Sequence, residues 1–387
     1  MIYLDNSATT ALCESAKQKM SEAMDCYGNP SSLHSVGYEA SVMLDGARAA
    51  VAASMGLRRG CGWEIFFTGS GTEANNTAIM GSVYAKDRLT SRRIITTDSE
   101  HPSVSEPLAY LEAHGFEVVR LSTRGGVLDM AELERALSGG ALMMTLMMVN
   151  NETGARYDVE RAFAMAKRSC PDIITHCDAT QGYLKMPLNA ARLGADMITA
   201  SAHKIHGPKG VGVLCVAPDV IKTKRLVPFV RGGGQEKGFR SGTENMIGIA
   251  GMWGAVLQGS ATVAADVAKM TRLRDAAAER LSAIPGIKLN IPAGARAPHI
   301  LNITLPDIKS ETMVHFLSAR GIAVSAGSAC SAHSEKVSDS LLAFGLDKRA
   351  ASCSLRISLC ESNTEEDIAA LSDALRRGIE TLVRIRQ

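Results

Sequence analysis

Continuously apolar, β-rich runs alternate with segments of helical period along the first two-thirds of the chain. The runs cover Glu64 to Phe67, Arg93 to Thr97, Ala141 to Val149, Asp172 to Cys177, Asp196 to Thr199 and Val211 to Val216. Strands that are apolar on both faces, instead of alternating, belong in a parallel sheet covered on each side by helices. The pattern therefore predicts an α/β domain. After about Gly259 it changes to a long helix (Val263 to Ile284), a strand (His299 to Leu305), a helix (Glu311 to Arg320) and strands near Ile322 and Leu355. A last helix opens at Thr364-Glu365-Glu366-Asp367, a capping-box-like start, and keeps Ile368, Leu371, Leu375, Ile379, Leu382 and Ile385 on one face. We read residues 13–259 as a large α/β domain, and residues 1–12 with 260–387 as a smaller α+β domain.

At 387 residues and 46% hydrophobic content, the chain is long enough to bury two cores. Its 42 Lys and Arg against 40 Asp and Glu leave a formal net charge of +2, which favours neither nucleic acid nor a membrane surface as partner. A small-molecule substrate is expected. Asp5 stands where a signal peptide would be basic, and Ala141 to Val149, the most apolar run, is too short to span a bilayer. The expectation is a cytoplasmic protein. The nine cysteines (Cys13, Cys26, Cys61, Cys170, Cys177, Cys215, Cys330, Cys353 and Cys360) are odd in number, scattered and without a Cys-x-x-Cys pair. They predict reduced, mostly buried thiols, no disulfide framework and no metal site.

Ligands of open parallel sheets gather where strands end and helix N-termini project, and the chemically unusual residues fall at such places. Thr68-Gly69-Ser70-Gly71-Thr72-Glu73-Ala74-Asn75-Asn76 follows one strand and opens a helix, a setting in which backbone N–H groups cradle a phosphate. The same string fits Gly-x-Gly-x-x-Ala, the dinucleotide pattern, and equally a tight turn without a ligand. Asp178 ends another strand, where an aspartate commonly caps a helix. Lys204 follows the apolar run around Met197 and Ile198, among Ser201, His203 and a Gly207-Pro208 turn, as a lysine able to form a Schiff base. A carboxylate, a lysine and a phosphate cradle together meet the needs of pyridoxal phosphate (PLP), whose protonated ring nitrogen requires an acidic partner. His101, in Glu100-His101-Pro102-Ser103, is placed to stack on such a ring, and Asn151 to bond its hydroxyl. Cys330 sits in Ala326-Gly327-Ser328-Ala329-Cys330-Ser331-Ala332-His333, small residues suited to a mobile loop, where a thiol serves as nucleophile once its proton is removed.

Taken in order, these segments resemble the cysteine desulfurases of NifS/IscS type, in the class V aminotransferase group of fold-type I PLP enzymes. The resemblance spans nearly the whole chain, from Leu4-Asp5-Asn6-Ser7-Ala8-Thr9-Thr10 and Gly28-Asn29-Pro30-Ser31-Ser32-Leu33-His34 through Arg240-Ser241-Gly242-Thr243 to Leu355-Arg356-Ile357-Ser358. It implies that Lys204 binds PLP covalently, Asp178 pairs with the ring nitrogen, and His101 stacks on the ring and shuttles protons. It implies ring-side or substrate contacts for Gln181 and Asn151. Phosphate contacts fall to Gly71, Thr72, Ser201 and His203, with Thr243 reaching over from the second subunit of a homodimer. Arg356 and Asn29 would hold the substrate carboxylate. L-Cysteine would then yield L-alanine, with its sulfur carried on Cys330 as a persulfide and passed to an acceptor protein for iron–sulfur cluster, thiamine or tRNA thiolation work.

The chain departs from the family pattern in places. Gly69 and Ser70 are exchanged relative to Thr-Ser-Gly-x-Thr, Arg231 precedes Gly232-Gly233-Gly234 where histidine is common, and Ala11 replaces a frequent proline. Cys360-Glu361-Ser362 replaces a Gly-Arg-containing segment. The final helix lacks the long tail with which some members dock a scaffold, so the acceptor stays open. Selenocysteine lyase is the nearest alternative, and a nucleotide-binding protein lacks the acidic residue that would hold a ribose.

Overall fold

The computed structural model describes residues 1–85, 91–326 and 337–382, so Cys330 and Ile385 lie outside the described residues. After a short β1 (Ile2–Tyr3), seven strands follow: β2 (Glu64–Thr68), β3 (Arg93–Thr97), β4 (Glu117–Leu121), β5 (Met143–Met147), β6 (Ile174–Asp178), β7 (Met197–Ser201) and β8 (Gly212–Val216). They form one sheet in the order β2-β8-β7-β6-β5-β3-β4. The expected α/β layering is present, with one difference from an all-parallel sheet. β8 runs antiparallel to both β7 and β2. Its connection from β7, residues 202–211, is too short for the dozen or more residues of a parallel crossover. The reading also passed over β4, an edge strand whose Glu117 and Arg120 are exposed and break the apolar run.

Alternate residues of the strands enter two different cores, which is why the runs read as continuously apolar. Ile65, Ile95, Met144, Cys177 and Ile198 face one core with Leu44, Val51, Phe163 and Met252. Phe66, Ile94, Met143, Ile174 and Met197 face the other with Ala78, Ile79, Val104 and Leu108. Four of the eight described cysteines (Cys177, Cys215, Cys353 and Cys360) are buried, Cys61 is exposed, and all eight are free thiols. Burial of most cysteines, as expected from sequence, thus holds for only half of those described.

The C-terminal part adds β9 (Lys288–Leu289), β10 (Ile300–Thr304), β11 (Ile322–Ala323), β12 (Ser325–Ala326) and β13 (Ser354–Ser358). Antiparallel β12-β13-β10-β9 forms a second sheet, and β1 pairs in parallel with β11. Their core joins Leu4 to residues between Leu273 and Leu375. The last helix, Glu365–Thr381, begins with a complete capping box between Thr364 and Asp367.

One helix serves both cores. It runs from Met246 to Ser282, capped by the Asn245 side chain on Gly248 N, and so starts well before the expected Val263. Ile249, Met252 and Val256 enter the first core, and Leu273, Ala277 and Leu281 the second. The boundary read near Gly259 falls inside it. Its length and apolar content would also suit a membrane span, but half of its most apolar window is buried within the protein.

Candidate active site

Five strands deliver their following residues to one edge of the main sheet. β2 gives way to the helix Gly71–Val83, which Ser70 caps by accepting from Glu73 N at 3.1 Å. β3 leads to His101, β5 to Asn151 and β7 to Lys204, while Asp178 is the last residue of β6. Between them lies a cavity of about 340 Å³ lined by Gly71, Thr72, His101, Asn151, Asp178, Gln181, Ser201, His203, Lys204 and Arg356. A larger cleft of about 760 Å³, between Gly126 and Arg192, contains none of these groups. The site therefore follows the chemistry and not the size of the opening. Asn29 is exposed outside the cavity, its Oδ1 accepting from Ser31 N at 2.9 Å, and Thr243 is exposed on the approach to the long helix.

Glycines permit the close approach of helix and sheet here. A Cβ on Gly212 would fall 2.4 Å from the Ser70 carbonyl carbon and 2.7 Å from Gly71 N. One on Gly71 would stand 3.2 Å from Ser201 Cβ, filling the space beside that helix N-terminus.

The Asp178 carboxylate is buried and doubly bonded. Its Oδ2 accepts from Asn75 Nδ2 at 2.8 Å and its Oδ1 from Thr180 N at 2.9 Å. Asn75 also donates to Ser103 Oγ at 2.8 Å. The Ser103 backbone N–H donates to His101 Nδ1 at 3.1 Å, with Ser103 Oγ 2.8 Å from the same nitrogen. Nδ1 is thus an acceptor, which places the proton of the neutral ring on Nε2. Burial pushes the His101 pKa down; Asp178 opposes this and Lys204 adds to it. His203 is driven down to about 4 by burial and then by Lys204. Lys204 Nζ donates to the Ser7 and Ala8 carbonyls at 2.6 and 2.8 Å, and Gln181 Nε2 donates to Ser7 O at 2.9 Å.

Arg356 is 3% exposed, so its contacts decide what it can hold. Nη1 donates to Asn151 O at 3.0 Å, and Nη2 to Asp5 Oδ1 at 2.8 Å and Ser325 Oγ at 3.1 Å. Its buried Nε lacks a hydrogen-bond partner among the described residues. Asn75, Ser103 and the carbonyls of Ser7 and Ala8 were missed as site groups. Asn75 carried a signal, because a weak helix former standing beside Ala74 in the buried part of a helix needs a polar partner. Backbone carbonyls carry none.

The aminotransferase class-V family model matches residues 2–371. A cysteine desulfurase of Trichormus azollae is 39% identical over 385 residues, covering 99% of this chain and 94% of its own. The cysteine desulfurase IscS of Dictyoglomus turgidum is 35% identical, covering 98% and 95%. A solved NifS-like protein superposes with a TM-score of 0.90 at 33% identity, over 98% of this chain and all of its own. The chain belongs to the class V aminotransferase family of fold-type I PLP enzymes, in its NifS/IscS-like cysteine desulfurase branch.

That family implies PLP, and the residues fit it. A buried carboxylate held by Asn75 and Thr180, a lysine lining the same cavity and a helix N-terminus beside Ser201 supply its three anchoring chemistries.

Proposed function

We propose that this chain is a PLP-dependent cysteine desulfurase that converts L-cysteine to L-alanine and carries the sulfur on Cys330. The observation that carries this reading is the convergence of Lys204, Asp178, His101 and Arg356 on one cavity. When bound, PLP supplies an electron sink that lowers the barrier to proton transfer and C–S cleavage.

The protein's own groups divide the remaining work. Asp178 would hold the charge of the cofactor ring, and Asn75 and Thr180 fix its two oxygens so that little reorganisation is needed. Gly71, Thr72, Ser201 and His203 would receive the phosphate, and Lys204 would anchor the cofactor. Arg356, which lines the cavity, would hold the substrate carboxylate with its guanidinium charge. His101, neutral with its proton on Nε2, would give and take protons at that nitrogen. Cys330 attacks the substrate sulfur: an S–S bond forms as the Cβ–S bond breaks, the electron pair stays with carbon, and carbon takes up a proton. L-Cysteine and a thiol thereby become L-alanine and a persulfide. Arg356 lies on β13 opposite Ser325 of β12, the strand that leads towards Cys330.

The reading includes a cytoplasmic homodimer, with Thr243 completing the partner's phosphate site. An acceptor protein then takes the sulfur for iron–sulfur cluster, thiamine or tRNA thiolation work. Mass spectrometry after addition of L-cysteine tests it. One added sulfur on Cys330 with matching alanine release is expected, and both should vanish in Cys330→Ala. Undiminished alanine release by that variant would refute the persulfide route.

A further inference from the structure

Lys204 also borders a second, smaller cavity of about 110 Å³, lined in addition by Cys13, Lys185, His206, Cys360 and Glu361. There one ring nitrogen of His206, the Cys360 sulfur and a Glu361 carboxylate oxygen all lie within 4.8 Å of one another. No other His, Cys or carboxylate trio is so compact among the described residues. His206 Nδ1 stands 2.9 Å from the Ala11 carbonyl, which only accepts, so Nδ1 carries a hydrogen and Nε2 faces the cluster. A backbone carbonyl on the far nitrogen is the usual way a metal-binding histidine is oriented. Glu361 Oε2 is 3.2 Å from Nε2. The Cys360 sulfur, 3.0 Å from Ser362 Oγ, lies beside that pair.

Ligands of a tetrahedral zinc ion, at about 2.0–2.3 Å from the metal, stand roughly 3.3–3.8 Å apart. The His206–Glu361 pair, at 3.2 Å, already stands near that spacing, and the sulfur lies within 4.8 Å of both. Cys13, His206, Cys360 and Glu361 also line an open cleft of about 450 Å³, which gives an ion its route from solvent. The donor set, sulfur, imidazole and carboxylate, is that of a borderline-soft divalent ion. Cys360-Glu361-Ser362 is also where the sequence departs from the family pattern. We propose that His206, Cys360 and Glu361 bind a zinc-class divalent ion, with the fourth position open to the cleft. The ion would tie the segment after Lys204 to the end of the strand that carries Arg356.

The test is titration of the holoenzyme, stripped of metal by a chelator, with Co²⁺. One equivalent per chain should bring the visible absorption of tetrahedral cobalt, well to the red of the PLP band, and Zn²⁺ should abolish it. Cys360→Ser, and the milder Glu361→Gln, should each weaken binding at least about tenfold, with PLP absorbance and far-ultraviolet circular dichroism retained as the sign of folding. Cys330→Ala should bind cobalt like the wild type. The proposal is overturned if the wild type shows no such bands, if Cys360→Ser binds equally well, or if Cys330→Ala loses the bands. None of these results bears on alanine release, which tests the desulfurase reading separately.

Discussion

Gly212→Ala probes the phosphate cradle without replacing any residue that would contact the cofactor. The new Cβ would sit 2.4 Å from the Ser70 carbonyl carbon, and both neighbours are backbone, so no side chain can swing aside. Restoring an ordinary contact requires the start of the helix Gly71–Val83 to recede by about 1 Å. A phosphate hydrogen bond of about 2.9 Å then stretches to about 3.9 Å, beyond bonding range. Each such charge-assisted bond is worth about 1.5–3 kcal/mol, or roughly 10- to 150-fold in affinity. Overpacking adds about 1–3 kcal/mol of destabilisation. Absorbance titration of the apoprotein with PLP should show a Kd raised at least about tenfold, with secondary structure intact by circular dichroism. A Kd within about twofold of wild type would mean that the helix start is not held against β8 as described.

Two further outcomes follow from buried charge. Burial raises the Glu100 pKa to about 8, while its Oε1 accepts from Thr97 Oγ1 and Met147 N. A raised carboxyl binds its proton more tightly when folded, so its stabilising effect is full below the unfolded value near 4.5 and is lost as pH rises to about 8. Glu100→Gln keeps both accepted bonds and should flatten that fall; urea melts at pH 5 and pH 8 that lose the same stability in wild type and variant would contradict it. Arg48 pairs with buried Glu236 at 2.9 and 3.1 Å, and Glu236 Oε2 also accepts from Phe67 N at 2.9 Å. Arg48→Ala should cost about 3–5 kcal/mol by stranding that carboxylate, measured by calorimetry, and a loss under about 1 kcal/mol would place the pair among weak surface bridges.

Much of the large domain was legible because both faces of its central strands are buried, which makes Ile94-Ile95 or Met143-Met144 unmistakable. β4 was not, since an edge strand needs no apolar outer face. The direction of β8 depended on the length of the connection from β7 and not on its composition. Glycines at 251, 254 and 259 hid the first half of the Met246–Ser282 helix, each costing about 1 kcal/mol against alanine that packing against two cores offsets. In the site, the residues with distinctive chemistry stood out one by one. Asn75, Ser103 and the Ser7 and Ala8 carbonyls act through positions that only the folded chain brings together. The His206–Cys360–Glu361 cluster was invisible for the same reason, because spacing rules look for ligands close in sequence.

The seat of Lys204 on the carbonyls of Ser7 and Ala8 has a consequence for the order of folding. The segment that carries them is fastened to the far end of the chain: Ser7 N donates to Ser358 Oγ at 2.8 Å, and Ser358 N to Leu4 O at 2.7 Å. A chain still emerging from the ribosome can assemble β2 to β8 and form most of the cavity wall. The side on which the lysine rests is fastened only once Ser358 has emerged, so the site is completed by one of the longest-range contacts in the molecule.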